Sequence, residues 1–394
     1  MVSPLPAEAG ANPEAAVADY MLSLVRHLQP TVSVDIIAQQ SAKSLNKENH
    51  ISVSRSWQPG IFAAKDIVNT LSKTDASLIH LQHEFRIFGD VLSTGAVVEM
   101  LRRSRKIKIP VVTTLHAVVP ISGVTREFLE RTEIPLYPKL AQKAFQVAFR
   151  SVRLLSAATV VHHQLFKDIL VSDYNFDKSS VEVIPLGVSS LANSGVDVSG
   201  KVSTVSGDPL TKNVLFFGYL ASYKQPELLV QAARILSDAP IHFTFCVSEN
   251  PRTPSKAYQD RYRALRNSVI ELGDKATWSG YVPDEEVPRF FEDADLLILP
   301  YVDCISVSAV AALAYSHGAA ICHSAPLNKL FPTSNLEFQL TPSSLAEVII
   351  RGPKKASVNS GGGGSLPTWS DSAIKTETLW RYVLSSRTPG HEAL

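Results

Sequence analysis

Residues 213–224 read Asn-Val-Leu-Phe-Phe-Gly-Tyr-Leu-Ala-Ser-Tyr-Lys. The apolar run predicts a buried strand that ends at Gly218, followed by a short loop and by Lys224 near the start of the next helix. In open α/β sheets, ligands bind beyond the carboxyl ends of the strands. A lysine at this place can reach a phosphate, and the positive end of the helix dipole reinforces its charge. The alternative is a solvated lysine at an exposed helix end.

Residues 294–310 repeat the pattern of buried strand, loop and helix. The apolar strand stops at a proline, and a short polar loop leads into a helix rich in small residues. The backbone N–H groups at this helix start, around Ser306, Ser308 and Ala309, can bind an anion. The serines could instead only cap the helix.

The rest of the chain alternates between strand-like and amphipathic runs. The strand-like runs form two series: Val32–Ala38, Ile51–Trp57, Ser77–Leu81, Pro110–Leu115, Thr159–His162 and Val181–Pro185, then Asn213–Gly218, His242–Val247, Ala276–Ser279, Leu296–Pro300, Ala319–His323 and Phe338–Leu340. The helical runs include Pro13–Leu28, Ile61–Leu71, Lys224–Ser237, Asp284–Ala294 and Ser306–His317. This alternation predicts the α/β class, with two Rossmann-like domains in tandem, each a doubly wound parallel sheet.

We expect an N-terminal domain of residues 1–190 and a second domain of residues 208–365. The stretch Ser189–Gly207 has no strong period and is typical of a linker. The glycine-rich stretch Ser360–Ser365 is typical of a flexible one. A closing helix at residues 366–387 should pack back on the body of the protein, and docking on a separate partner is the alternative.

The closing helix is predicted from its apolar face. The apolar residues expected on that face are Ile374, Leu379, Trp380, Val383 and Leu384.

The start of the chain fits this plan badly. A doubly wound domain normally begins with a buried strand and a tight glycine turn. Residues 1–13 are rich in proline and alanine, and proline lacks the donor that a central strand requires. We therefore expect the first strand to be missing or the first domain to be built unusually.

Composition excludes several classes of protein. The chain has 394 residues, of which 45% are hydrophobic and 19% charged, and its net charge is +1. This balance argues against disorder and against nucleic-acid binding. Three cysteines are too few for a disulfide framework, no secretory signal or membrane span is apparent, and we expect a cytoplasmic protein.

The ordered motifs resemble family 4 retaining glycosyltransferases of the GT-B fold. In the second half these are Phe216–Gly218 with Lys224, Ser279–Pro283, Ala294–Tyr301 and Leu313–Gly318. In the first half they are Ile79–Phe85, Val111–His116 and Val183–Val188, and at the end Thr368–Asp371. The resemblance covers about residues 14–387. It implies an acceptor domain followed by a nucleotide-sugar domain, and a crossover helix at residues 366–387 that packs back on the first domain.

The resemblance also implies roles for individual residues. Lys224 would bind the donor diphosphate together with backbone groups around Ser308 and Ala309, and Tyr281 with Val282 would line the base pocket. His116 would touch the transferred sugar. The other donor-side positions carried over are Gly218, Tyr219, Tyr301 and Ser306.

The implied reaction moves a sugar from a nucleotide diphosphate donor, a UDP- or GDP-sugar, to an unknown hydroxyl acceptor with retention of configuration. The acceptor could be a saccharide, a lipid-linked compound or a small molecule. We expect no metal and no other cofactor. Cations and N–H dipoles would stabilise the departing phosphate oxygens.

Several positions depart from the family pattern. Two glutamates usual in the family correspond to Ile305 and Leu313, and Tyr219 replaces a frequent arginine. Asp303 could supply a nearby carboxylate for catalysis. A catalytically impaired homologue that acts as a scaffold for a protein partner is therefore the alternative hypothesis, and an epimerase or phosphorylase is a weaker one.

Two further clusters combine polar or charged side chains. His80, His83 and Glu84 match no zinc signature. The resemblance implies that they lie near the cleft, where Glu84 and Phe85 would help shape the acceptor site. The basic run Arg102–Lys108 is typical of a solvated helix end, and a peripheral membrane contact with anionic lipid is the second interpretation.

Overall fold

The computed structural model describes residues 1–6, 15–42, 50–85, 87–89, 94–188, 211–249, 255–283, 285–332, 334–354 and 367–386. By their internal contacts the residues form two compact units. The first comprises Met1–Gly187, Ile305–Val307 and Pro367–Leu394, and the second comprises Val188–Cys304 and Ser308–Leu366. The predicted linkers at 189–207 and 360–365 lie outside the described residues.

The elements of the first unit alternate as the periodicity predicts. In chain order they are α1 (Ala15–Arg26), β1 (Val34–Gln39), β2 (Ile51–Trp57), α2 (Ala63–Leu71), β3 (Ile79–His83), α3 (Thr94–Lys106), β4 (Val111–Leu115), α4 (Arg126–Arg131), α5 (Pro138–Leu155), β5 (Ala158–Val161), α6 (Gln164–Tyr174) and β6 (Val181–Val183).

The second unit continues the alternation. Its elements are β7 (Lys212–Tyr219), α7 (Pro226–Ile235), β8 (Ile241–Ser248), α8 (Lys256–Ile270), β9 (Ala276–Trp278), α9 (Val287–Asp293), β10 (Leu296–Leu299), α10 (Ala309–Ser316), β11 (Ala320–Ser324), β12 (Glu337–Phe338) and α11 (Pro342–Arg351). The closing helix α12 (Trp369–Ser385) is grouped with the first unit. None of the helices among the described residues is both long and apolar enough to span a membrane.

The second unit contains one six-stranded parallel sheet with the order β9-β8-β7-β10-β11-β12. The order reverses between β7 and β10, which makes this pair the topological switch point. Both faces of the sheet are buried. Val214 and Phe216 of β7 belong to one apolar cluster, whereas Leu215 belongs to another, as alternation along a strand requires.

The first unit contains two parallel ladders, β1-β2 and β3-β4-β5-β6. Val2 joins them, because it forms parallel bridges to Ile37 of β1 and to Leu81 of β3. Its N–H donates to the His80 carbonyl at 2.9 Å, and its carbonyl accepts from Gln82 N–H at 2.9 Å. Residues 1–3 therefore form a short strand between β1 and β3. With this strand included, the two ladders form one sheet with the strand order of a doubly wound domain.

The expectation that residues 1–13 form no buried strand is therefore wrong for residues 1–3. Val2 and Ser3 are fully buried, and the two prolines follow at positions 4 and 6, beyond the paired backbone. Three residues are too few to show a strand period, and only their pairing partners on both sides reveal the strand.

The closing helix α12 packs against α1. Ala373, Trp380 and Val383 share an apolar cluster with Met21 and Leu24. The Glu377 carboxylate, buried in this interface, accepts from Gln29 N–H at 2.7 Å and from Arg381 at 2.9 Å. The Thr368 hydroxyl and the Asp371 carboxylate cap the first turn reciprocally.

Two residues expected on the buried face of α12 are exposed. Ile374 is 55% exposed and Leu384 is 38% exposed. Ile374 lies about 120° around the helix from Trp380, since each residue turns by about 100°. The buried face includes the smaller residues Ala373 and Thr376, which let the helix approach α1 closely.

Gly187 provides a test of this packing. A Cβ at Gly187 would lie 2.6 Å from the Trp369 Cα and 2.7 Å from its backbone nitrogen, neither of which can move without shifting α12. We expect Gly187→Ala to lower the free energy of unfolding by about 1–3 kcal/mol, the usual cost of overpacking. Urea denaturation followed by tryptophan fluorescence measures it.

Gly95→Ala is the matched control. Gly95 lies in α3, and apart from its chain neighbours and the backbone of its own helix, no atom stands within 4 Å of the position of an added Cβ. Alanine should therefore stabilise the helix by about 0.5–1 kcal/mol. Equal effects of the two substitutions would contradict close packing at Gly187.

Candidate functional site

The loops that follow β7 and β10 are hydrogen-bonded to each other at the switch point of the second unit. Lys224 and Tyr301 form an antiparallel bridge. Val302 N–H donates to the Tyr223 carbonyl at 2.9 Å, and Gln225 N–H donates to the Pro300 carbonyl at 3.2 Å. The pairing holds Lys224 in place beyond the carboxyl ends of the two central strands.

The Lys224 side chain is buried, with 8% of its surface exposed, so the alternative of a solvated lysine is wrong. Its Nζ lies 5.5 Å from the ring centroid of Tyr301 and 5.9 Å from that of Tyr223. Within the described part of the chain, no carboxylate forms an ion pair with this ammonium. Burial lowers the pKa of Lys224 to about 8.

Gly218 at the end of β7 leaves the space that the ammonium occupies. Its φ of +125° lies in a region that side chains disfavour, and a Cβ would stand 2.7 Å from Lys224 Nζ. The same Cβ would lie 3.8 Å from Val310 Cγ2 in the first turn of α10. Gly218 therefore marks the point where the lysine and the start of α10 come together.

The start of α10 offers N–H groups near the lysine. The Ser308 hydroxyl accepts from Ala311 N–H at 3.2 Å and also hydrogen-bonds the Tyr301 phenol. Ser308 is thus a helix cap, as its residue type allows. The N–H groups of Ala309 and Val310 have no acceptor within the helix. A buried cation beside a helix N-terminus is suited to an anion such as a phosphate.

The remaining predicted donor-side residues are placed differently. Tyr219 is half-buried at the end of β7, and Asp303 is half-buried in the loop before α10. Tyr281 is 65% exposed, whereas Val282 packs in an apolar cluster, so its side chain is not available to a base. Ser306 is half-buried and falls in the segment grouped with the first unit.

Sequence reasoning did not single out Tyr223 or Val310. Tyr223 could have been suspected, because an aromatic residue directly precedes the candidate lysine. Val310 carries no signal in the sequence, since its part in the site depends on the approach of α10 to Gly218.

The first unit gathers four histidines on its central strands or directly after them. His80 and His83 lie on β3, His116 follows β4, and His162 follows β5. Because neighbouring parallel strands end at the same edge, residues far apart in the sequence meet here. The His116 and His162 rings are 5.0 Å apart, and each ring contacts Tyr20 of α1 at 4.8 Å.

A hydrogen-bond chain orders these groups. His162 Nδ1 donates to the Ile184 carbonyl at 2.9 Å, which leaves a lone pair on Nε2 of a neutral ring. His116 Nδ1, 3.2 Å from that atom, must then carry the proton. His116 Nε2 is left as an acceptor facing the Gln82 carboxamide at 2.9 Å. We expect the carboxamide to present its NH₂ group, which otherwise lacks a partner.

The histidines are held neutral. Burial lowers the pKa of His80 to about 3 and of His83 and His162 to about 4. The pKa of His116 lies well below its usual value, through burial first and then through the neighbouring histidines. His116 therefore cannot act as a cation near neutral pH, and both of its ring nitrogens are engaged by protein groups.

Some buried polar atoms of this cluster have no hydrogen-bond partner: Tyr20 Oη, His80 Nδ1 and His83 Nδ1. The sequence did not point to Tyr20, whose helix only shows an apolar face. Among the described residues, no three side chains of histidine, cysteine, aspartate or glutamate are arranged to hold a metal ion.

Comparison with known proteins connects the chain to sugar transferases. Residues 17–190 match the model of Glycosyltransferase Family 4. D-inositol 3-phosphate glycosyltransferase of Mycobacterium sp. (strain JLS) is 27% identical over 207 residues, 52% of this chain and 44% of that protein. Mannosylfructose-phosphate synthase of Agrobacterium fabrum is 26% identical over 212 residues, 50% of this chain and 44% of that protein. The chain spans less than half the length of these curated relatives.

Solved structures show the fold. Anabaena HepE, in complex with UDP and glucose, matches with a TM-score of 0.69 and 15% identity, covering 96% of this chain and 99% of that one. Sucrose-phosphate synthase from Thermosynechococcus elongatus matches with a TM-score of 0.67 and 14% identity, covering 98% and 96%. The predicted resemblance to family 4 glycosyltransferases and the class of two Rossmann-like domains in tandem, GT-B, are confirmed.

The buried ammonium should reduce the stability of the ligand-free protein. A pKa near 8 in the folded protein, against about 10.5 when unfolded, disfavours folding below pH 8, and the cost fades as the pH rises towards 10.5. We expect Lys224→Met to raise the free energy of unfolding at pH 7 by about 1–3 kcal/mol. Lys256→Met, at an exposed site on α8, should have almost no effect. A destabilised Lys224→Met protein would contradict an uncompensated buried charge.

The histidine cluster predicts acid sensitivity. The unfolded histidines bind protons below about pH 6.5, whereas the folded ones resist protonation down to about pH 4. Stability should therefore fall as the pH drops through this window, by about 1–2 kcal/mol for each histidine at pH 5. Denaturation midpoints measured from pH 7.5 to 4.5 test this.

A variant that removes one histidine should reduce that pH dependence. His83→Leu is expected to flatten the slope, and His27→Gln, on the exposed side of the chain, should leave it unchanged. If stability depended on pH equally in wild type and in His83→Leu, the buried histidines would not be the cause of the acid sensitivity.

Proposed function

We propose that this chain is a retaining glycosyltransferase that uses a nucleotide diphosphate sugar, with the diphosphate bound at Lys224. The observation that carries the proposal is the buried ammonium beside Gly218 and the start of α10, with no carboxylate paired to it in the described residues. A diphosphate supplies the charge that this arrangement lacks. The family match and the fold support a sugar transferase over other users of diphosphates.

The proposed reaction breaks the bond between the anomeric carbon and the diphosphate oxygen. The acceptor oxygen forms the new bond on the same face, and the hydroxyl proton passes to the departing phosphate, which gives a glycoside and a nucleoside diphosphate. The chain's own contribution is electrostatic. Lys224 and the N–H groups of Ala309 and Val310 stabilise negative charge as it develops on the leaving oxygens. Since they supply this stabilisation, we propose that no divalent metal is needed.

A uridine diphosphate sugar is the proposed donor. The Anabaena structures that resemble this chain are complexes with UDP and with UDP-glucose, which makes these the first ligands to test. The exposed Tyr281 ring is available to stack on a base, and His116 is proposed to lie near the transferred sugar. Asp303 is proposed as a nearby carboxylate.

A scaffold without activity is the second candidate. Leu313 stands where the family carries a glutamate, and its side chain packs against the apolar cluster below α10. A leucine cannot hydrogen-bond a ribose, so this contact to a donor would be missing. Transfer or donor hydrolysis above background would remove this candidate.

The test is a thermal-shift panel of UDP, GDP, UDP-glucose and GDP-mannose. A ligand that binds only the folded protein raises its melting temperature by mass action. We expect one diphosphate series to do so for wild type. Lys224→Met should weaken that binding by about 1.5–3 kcal/mol, the range for a charge-assisted hydrogen bond.

Lys256→Met is the matched control and should bind as wild type does. Equal affinity of the Lys224→Met protein would exclude the site, and a flat response of wild type across the panel would favour the scaffold. Product analysis by NMR, with and without EDTA, tests retention and metal independence.

A further inference from the structure

Helix α5 buries only one of its sides. Ala141, Phe145, Phe149 and Val152 face the interior of the first unit. Their spacing of three and four residues is that of a single helix face. The opposite side of the helix is exposed and carries aliphatic as well as charged side chains.

An aliphatic row runs along the exposed side of α5. Leu140 is 54% exposed, Val147 is 60% exposed and Leu154 is 55% exposed. Seven residues separate each from the next, which places them on one line about 21 Å long. Tyr137, 84% exposed, stands at the head of this line as the helix cap. Large aliphatic side chains lined up in water are unusual in a surface helix.

A cationic row lies beside the aliphatic one. Lys139, Lys143 and Arg150 are exposed, and each lies within about 100° of the aliphatic line. Helix α5 contains no aspartate or glutamate in its 18 residues. We name these two rows together the α5 face: Lys139, Leu140, Lys143, Val147, Arg150 and Leu154.

Basic residues at the end of α3 and just beyond it extend the α5 face at its C-terminal end. A cavity of about 150 Å³ is lined by Arg105, Lys108 and Leu154, among others. Arg102 and Arg103, earlier in the same basic run, are instead paired with Glu99 at 3.2 Å and 2.7 Å. The basic run is therefore divided between local ion pairs and the end of the α5 face.

We propose that the α5 face is a docking surface for a membrane with anionic lipids. An aliphatic row flanked by a single sign of charge matches the boundary between acyl chains and negative headgroups. A second copy of the chain would bring like charges together, which opposes self-association through this face. Binding to a bilayer does not require a groove in the protein, and the aliphatic row does not form one. This inference is independent of the diphosphate site.

The experiment is vesicle co-flotation of the full chain. Phosphatidylcholine vesicles with and without phosphatidylserine are compared at low and at physiological salt. We expect binding only to the anionic vesicles, and weaker binding at higher salt. No binding, or equal binding to both compositions, would overturn the proposal.

Two variants separate charge from aliphatic contact. Lys139→Glu/Lys143→Glu/Arg150→Glu should lower the fraction bound at least about tenfold, since each cation near an anionic surface adds to the attraction. Leu140→Gln/Val147→Gln/Leu154→Gln should lower it about threefold or more. All six side chains are exposed, so melting temperatures should stay near wild type and report folding.

Matched controls come from the second unit. Lys256→Glu/Arg263→Glu/Arg266→Glu makes the same change in net charge on the exposed side of α8, and Ile235→Gln/Ile350→Gln removes exposed aliphatic groups. Both should bind within about twofold of wild type. Losses equal to those of the α5 variants would overturn the assignment to α5. So would a dimer in sedimentation velocity that the glutamine variant dissociates, without vesicle binding.

Discussion

Burying an ammonium without a carboxylate beside it opposes folding, because the charge loses its hydration and gains little in return. In the second unit, Lys224 is such a buried ammonium, and it lies beside the rings of Tyr223 and Tyr301. The backbone pairing of the two loops holds the lysine there, and Gly218 leaves it room. A structural role would be served equally well by an aliphatic residue. The buried ammonium is therefore the observation on which the proposed diphosphate site rests.

In the first unit, the histidines gathered on the central strands are neutral, in contrast to the charged Lys224 of the second unit. These four histidines are kept neutral, and the chain Gln82–His116–His162–Ile184 gives each of the two linked rings a defined tautomer. Neutral imidazoles can donate or accept hydrogen bonds without attracting a counterion. His80, His83 and His162 are buried, and both ring nitrogens of His116 are engaged by Gln82 and His162, so these hydrogen bonds order the interior of the first unit. The exposed α5 face shares no residue with this cluster, and an acceptor linked to lipid would give that face a direct use in the proposed reaction.

Much of the fold could be predicted from local patterns. The strand before Gly218 is buried on both faces, and such strands are apolar throughout, so β7 and β10 were found close to their true bounds. Lys224 could be placed because its position depends only on the strand, the glycine and a short loop. His116 was selected through a family motif, and the pattern itself did not reveal its partners Gln82 and His162.

Other features required contacts between distant residues. Val2 became a central strand only because Ile37 and Leu81 lie on both sides of it. The burial of Val282 and the exposure of Ile374 each depend on how neighbouring elements pack, and so does the approach of α10 to the end of β7. Sequence periodicity records which residues avoid water along one element. Periodicity does not show which element buries these residues, because packing between segments far apart in the chain decides this.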